Sequence, residues 1–288
     1  MTGPDATTHD EWAATQETTT LAVDGHDLRV AYHDSGADDG PPVVFLHGIP
    51  TWSFLWRDAA PALAADRHVV APDLLGYGNS AAHDGFDRSL RAQEAMLDAL
   101  RAHLGAERLD LVAHDVGGGV ALRYASHHPD AVDRLVLSNA VCYDSWPVEF
   151  VNGLGVPGAV QSLDDDEFEA KLDFVFGDGL YGDAADQEAF VAGMKAPWQG
   201  EGGRTALERA AVATNTNHTT ELDYGAVTAE TLCLWGGDDV LQPVENARRL
   251  ADDVAGPASV VALDDAFHWV VEDRPDAYRT ELRDFLAE

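Results

Sequence analysis

The chain has 288 residues and a net charge of −33, from 51 acidic side chains against 18 basic ones. That balance excludes nucleic acid and anionic membrane as partners, because like charges repel. A hydrophobic fraction of 45% excludes an acidic disordered chain. Asp outnumbers Glu by 35 to 16, and Lys171 and Lys195 are the only lysines. Such a surface suits molar salt, where counter-ions screen self-repulsion, so the expected location is the cytoplasm of a halophile.

In chain order, residues 1–20 are acidic and Thr-rich, with neither the basic nor the apolar region of a signal peptide. Residues 1–18 are expected to form a disordered acidic tail. Residues 18–34 carry two strands joined at Asp24-Gly25, a hairpin turn. A Gly/Pro/Asp-rich loop leads to a short buried strand, Val43–Leu46, that stops at His47-Gly48. Three pairs follow: helix 53–64 with strand 68–72, helix 87–104 with strand 109–114, and helix 117–128 with strand 134–139. This alternation predicts an α/β fold with a mostly parallel sheet covered on both faces, and places the site at the carboxyl ends of its strands.

Residues 141–225 lack buried strand patterns and read as a helical cap inserted into the core. The alternation resumes with strand 231–235, helix 243–254, strand 259–263 and helix 274–287, so the core comprises 19–140 and 226–288. No apolar run approaches the ~20 residues of a membrane span. There is no HExxH, CxxC or P-loop, so neither metal nor cofactor is expected. His127-His128 before Pro129 reads as a helix end. Cys142 and Cys233 lie in or beside apolar strands and read as buried free thiols.

The residues that carry chemistry centre on Asp115. Ala113 and Gly117 flank it at minus two and plus two, the spacing of a nucleophile elbow between strand and helix. A serine there would indicate acyl transfer, whereas a carboxylate indicates displacement at an alkyl carbon and an enzyme-bound ester. The plainer reading is an N-cap aspartate. Two later loops also follow strands: Trp235-Gly236-Gly237-Asp238-Asp239, and 264–269 with His268. The chain order is therefore nucleophile, acid, histidine. His268 would deprotonate a water, and Asp239 would hold its tautomer. Asp238 is the alternative acid, one residue out of register. In His47-Gly48-Ile49-Pro50, Gly48 lets the backbone turn so that the Ile49 and Val116 N–H groups can form an oxyanion hole. His47 reads as a structural residue behind that loop.

The segments His47–Arg57 and Ala71–Ser80, the His114-Asp115 elbow and the run from His268 to Pro275 together resemble the haloalkane dehalogenases of the α/β-hydrolase superfamily. Related epoxide hydrolases share the His-Gly-x-Pro loop and the Asp nucleophile. The resemblance implies an α/β-hydrolase fold with an inserted helical cap, an alkyl ester on Asp115 hydrolysed with His268 and Asp239, and a small apolar organic substrate with water as partners. It also exposes a departure. Haloalkane dehalogenases hold the halide between a Trp after the nucleophile and an Asn or Glu after His-Gly, where this chain has Val116 and Ile49. Replacement donors would come from the indoles of Trp52, Trp146 or Trp198, or from Asn215. Epoxide opening would need phenols, for which Tyr143, Tyr181 and Tyr224 are the candidates; packing is the alternative role for each. Dehalogenation, epoxide hydrolysis, another small-molecule hydrolysis and a non-catalytic lidded receptor all remain open at this level.

Overall fold

The computed structural model describes residues 7–36, 40–183 and 187–287. Its first element is a correction to the expected tail. Helix α1 (His9–Ala14) opens on a capping box: Thr8 Oγ1 accepts from the Glu11 N–H, and Glu11 Oε2 accepts from the Thr8 N–H. One apolar anchor suffices to dock it. Trp12 is buried, stacks on His33 and donates its indole N–H to Ser53 at 2.9 Å. Residues 1–6 of the expected tail lie outside the described residues.

Strands β1 (Gln16–Val23) and β2 (His26–Asp34) pair antiparallel across a turn in which Asp24 and Gly25 both have positive φ, as an Asp-Gly hairpin requires. Next come β3 (Val43–Leu46), a 3-10 turn (Ser53–Trp56), α2 (Ala59–Leu63) and β4 (Val69–Pro72). The single helix expected over 53–64 is thus broken. At the break Arg57 turns inward to pair with Glu272 at 2.7 Å. α3 (Leu90–His103) starts later than expected because Asp87 accepts from the Ser89 N–H and hydroxyl, fixing a turn before the helix.

β5 (Leu109–His114), α4 (Val116–His127) and β6 (Val132–Ser138) complete the first half. Between β6 and β7 (Glu230–Gly236) run α5 (Glu149–Leu154), α6 (Asp165–Asp178), α7 (Glu188–Gln199), α8 (Gly203–Val212) and α9 (Asn217–Thr220), with no strand among the described residues. α10 (Val244–Asp253), β8 (Ala258–Leu263), α11 (Val270–Asp273) and α12 (Pro275–Ala287) end the chain.

The eight strands form one sheet in the order β1-β2-β4-β3-β5-β6-β7-β8. β2 meets β4 antiparallel, and every pairing from β4 to β8 is parallel. β3, β4 and β5 are buried at every position, as parallel strands covered on both faces must be. The carboxyl ends of β3, β5, β7 and β8 therefore converge on one edge of the core. Cys142 and Cys233 are buried and free. No described helix is long and apolar enough to cross a membrane.

Candidate active site

Asp115 occupies the one residue between β5 and α4, with φ 51° and ψ −121°. A non-glycine residue held at positive φ is strained, on the order of 1–3 kcal/mol, and backbone hydrogen bonds fix it there. Its N–H donates to Ser138 at 3.3 Å, and its carbonyl accepts from Gly118 at 2.9 Å and Val141 at 3.0 Å. Two glycines make the close approach possible. A Cβ on Gly117 would collide with the Leu46 and His47 carbonyls, and one on Gly48 with the Asp115 side chain itself.

The two carboxylate oxygens of Asp115 are held differently. Oδ1 accepts the Ile49 N–H at 2.8 Å, and the Val116 N–H also bonds to the carboxylate. Oδ2 lies 3.7 Å from His268 Nε2, too far for a direct hydrogen bond. On the other side of the imidazole, His268 Nδ1 is 2.9 Å from Asp239 Oδ2. A carboxylate only accepts, so Nδ1 carries the proton. Asp239 is buried, whereas Asp238 is exposed and accepts from the Asp265 N–H. Of the two acids, it is therefore Asp239 that meets His268.

Burial pushes the Asp115 carboxyl above the usual carboxylate range, against the opposing pull of His268 and of the Ile49 and Val116 N–H groups. Burial also pushes His268 down, but the charge and hydrogen bond of Asp239, with Asp115 behind them, outweigh it and leave the imidazole raised. Asp239 is lowered: burial alone would raise it, but His268, Asn139 and the Leu241 N–H hold the anion.

Two supporting residues carry no sequence motif. Asn139 follows β6 at φ 46°; its Nδ2 donates to Asp239 Oδ2 at 2.6 Å, and its Oδ1 accepts from the Gly236 N–H at 3.0 Å. Asn is enriched at positive φ, the only hint the sequence offers. His114 Nε2 donates to the His268 carbonyl at 2.8 Å, with the two rings 4.7 Å apart. Complete burial pushes its pKa to about 3, so it acts as a neutral brace. Behind the oxyanion loop, His47 accepts from the Leu74 N–H and donates to the Gly48 carbonyl, the structural role expected of it. Replacing Asn139 by Ala should lower kcat about tenfold and leave KM nearly unchanged, since it removes one charge-assisted hydrogen bond from Asp239. Steady-state kinetics checks this.

Above Asp115 lies a cavity of about 260 Å³ whose walls include Val116, Val141, Trp146, Phe150, Val175 and Trp269. That size suits a small apolar guest. Of the seven leaving-group candidates only Trp146 lines it, and with its ring, for its N–H donates to Thr219 Oγ1. The others are corrected by their own hydrogen bonds or position. Trp52 donates to the Gly193 carbonyl and Trp198 to the Pro50 carbonyl. Asn215 is exposed and accepts from the Asn217 N–H. The Tyr143 hydroxyl donates to Asp253 and that of Tyr224 to the Thr219 carbonyl, while Tyr181 is exposed against Phe267. A buried donor must find an acceptor somewhere, and here the nearest acceptors lie within the fold. Among the described residues no cluster of His, Cys, Asp and Glu could hold a metal ion.

Residues 41–275 match the family model of the alpha/beta hydrolase fold, and the chain belongs to that family. Within it the chain is a hydrolase of haloalkane dehalogenase-like character. Over 124 residues, 41% of this chain and 40% of the relative, it is 40% identical to a haloalkane dehalogenase of Mycobacterium marinum. A 2-hydroxymuconate semialdehyde hydrolase of Pseudomonas sp. strain CF600 is 32% identical over 283 residues, 91% of each chain. Among solved structures, an alpha/beta hydrolase fold protein from Burkholderia ambifaria superimposes with a TM-score of 0.81 at 30% identity, covering 92% of this chain and 97% of its own. The haloalkane dehalogenase DbeA from Bradyrhizobium elkani gives 0.76 at 26% identity, covering 94% and 98%.

Proposed function

We propose that this hydrolase breaks a carbon–halogen bond in a small apolar substrate through an alkyl ester on Asp115. The observation that carries the reading is the unequal holding of the two Asp115 oxygens, Oδ1 pinned by the Ile49 N–H and Oδ2 left on the His268 side. Oδ2 attacks the substrate carbon; the carbon–oxygen bond forms as the halide departs with the bonding pair. Water, deprotonated by His268 Nε2, then attacks the ester carbonyl carbon. The oxyanion grows on Oδ1 between the Ile49 and Val116 N–H groups; its collapse expels the alkoxide, which takes the proton from the imidazolium, and Asp115 loses the remaining proton to solvent as its carboxylate re-forms. Asp239 and Asn139 keep the imidazole aligned throughout.

What the cavity lacks supports a halide as the leaving group. Opening an epoxide builds an alkoxide that needs a proton, and no tyrosine is among the cavity-lining residues. A halide departs as a weakly basic anion and needs none. Val116 and Ile49 offer no side-chain N–H beside Asp115 and the Trp146 and Trp269 indoles donate elsewhere, so iodide and bromide should leave faster than chloride. Halide release from matched 1-iodo-, 1-bromo- and 1-chloroalkanes, beside diol formation from epoxides, tests this in halide-free molar salt; release from none of the haloalkanes would overturn the reading. The net charge of −33 supports a molar-salt cytoplasm as the working environment.

A second reading, direct attack of water on a substrate carbonyl, is favoured by the match to the 2-hydroxymuconate semialdehyde hydrolase over 91% of the chain. One turnover in ¹⁸O-water separates the two, because only the ester route places ¹⁸O in the Asp115 carboxylate.

The pH dependence has a defined sign. Ester hydrolysis needs a neutral base whereas alkylation needs none, so kcat/KM should carry no acid limb from His268, whose pKa the Asp239 and Asp115 charges raise in the free protein. Forming the ester removes the Asp115 charge, one of the causes of that rise. If ester hydrolysis limits turnover, kcat should therefore keep an acid limb, at lower pH than the titration of His268 in the free protein. Paired pH profiles check this.

A further inference from the structure

Four basic side chains other than histidines are buried: Arg57, Arg88, Arg123 and Lys195. Three have carboxylates against them, Glu272 for Arg57, Glu94 and Glu221 for Arg123, and Glu169 and Asp173 for Lys195. Arg88, 6% exposed, has no such partner among the described residues. Its Nη2 donates to the Ala82 and His83 carbonyls at 2.5 and 2.9 Å, while Nε and Nη1 have no acceptor. A buried cation calls for a counter-charge, and buried N–H groups call for acceptors. What acts on it instead is the Phe86 ring at 5.0 Å and the charge of Asp84, which is beyond ion-pair distance and itself pairs with Arg209.

Arg88 lines a second, small pocket with Tyr77, Gln93, Val116, Trp146 and Thr214. Val116, Trp146 and Thr214 also line the substrate cavity, so the pocket lies directly behind the residue that follows the nucleophile. Its space of about 10 Å³ admits one water-sized guest. Gln93 already bonds the Leu75 N–H and carbonyl and the Arg88 carbonyl, and the Thr214 hydroxyl donates to Ala211. Arg88 and the Tyr77 phenol remain as donors. Tyr77 sits between the two centres: burial raises its phenol, the Asp115 charge adds to that, and Arg88 opposes it. On its far side Arg88 also lines a surface groove with Asp84, Arg209 and Ala213.

We propose that this pocket is a halide subsite, in which one monatomic anion behind Val116 serves as the counter-ion of Arg88 and receives a hydrogen bond from Tyr77. Sulfate and carboxylates are too large for it. Halide leaving Asp115 passes Val116 into the subsite; this last step alone rests on the dehalogenation reading.

Bromide titrated into the full chain in molar sulfate, followed by the ⁸¹Br NMR linewidth, tests it without turnover. Saturable broadening is expected for the natural chain and for Asp115→Ala. Arg88→Met should weaken binding at least tenfold, and Tyr77→Phe several-fold. The milder Tyr77→Phe decides the matter should Arg88→Met not fold. Absence of saturable broadening from the natural chain, or unchanged affinity in the folded variants, would overturn the subsite. Arg88-dependent binding together with no halide release from alkyl bromides would leave the subsite standing and remove the dehalogenation reading.

Discussion

With His268 replaced by Gln, the protein should stop halfway through its cycle. Alkylation of Asp115 needs no base, so one equivalent of halide should appear in a burst, and the alkyl group should remain as added mass on the peptide carrying Asp115. The second half needs a proton acceptor at the position of Nε2, and losing it should slow ester hydrolysis by on the order of 10⁴. Glutamine fits the buried niche in size and retains a donor toward Asp239. Intact-protein and peptide mass spectrometry read the outcome. Continued turnover, or burst release without an adduct, would show that His268 is not the base for an ester on this residue.

Asp115→Ala should fall to the buffer background, because the other carboxylates of the cavity wall, Glu149 and Asp178, have neither the Ile49 N–H nor the His268–Asp239 pair arranged about them. The loss belongs to chemistry and not to folding. The elbow is fixed by backbone hydrogen bonds to Ser138, Gly118 and Val141, and these survive the substitution. Alanine at φ 51° is disfavoured by roughly 1 kcal/mol, yet it also removes a carboxyl whose ionised form burial disfavours. Circular dichroism should therefore show a folded protein with a melting temperature near that of the natural chain. Residual hydrolysis of a carbonyl substrate well above background would instead favour direct water attack.

The features legible in the sequence were those written locally. The Asp24-Gly25 turn announces its hairpin because few residues tolerate positive φ in succession. That Asp115, Asp239 and His268 would meet at one edge could be read because each follows an apolar strand, and a parallel sheet delivers such positions there. Helix α1 was obscured by composition, since acidic and Thr-rich residues suggest a tail while Thr8, Glu11 and Trp12 are enough to cap and anchor it. The indoles misled for a different reason. Trp52 and Trp198 are where a halide donor could be imagined, but an N–H is committed to whichever acceptor the tertiary fold brings, and residue type does not encode that. Asn139 and Arg88 were missed likewise: the partner of one and the missing partner of the other exist only in three dimensions.

The strands that flank the inserted helices are neighbours in the sheet: β6 pairs directly with β7, Leu137 beside Cys233. The chain therefore leaves at the carboxyl end of β6 and re-enters at the amino end of β7, where Glu230 lies beside Arg134, a crossover whose two ends the parallel pair fixes whatever happens between. Lengthening or shortening that excursion changes only a slowly varying loop-closure entropy, and the register of the eight strands need not move. Asp115, Asp239 and His268 are carried by the sheet, whereas Trp146, Phe150 and Val175 over the cavity come from the excursion. The architecture thus lets the walls over the cavity be rebuilt while the residues proposed to react stay in place.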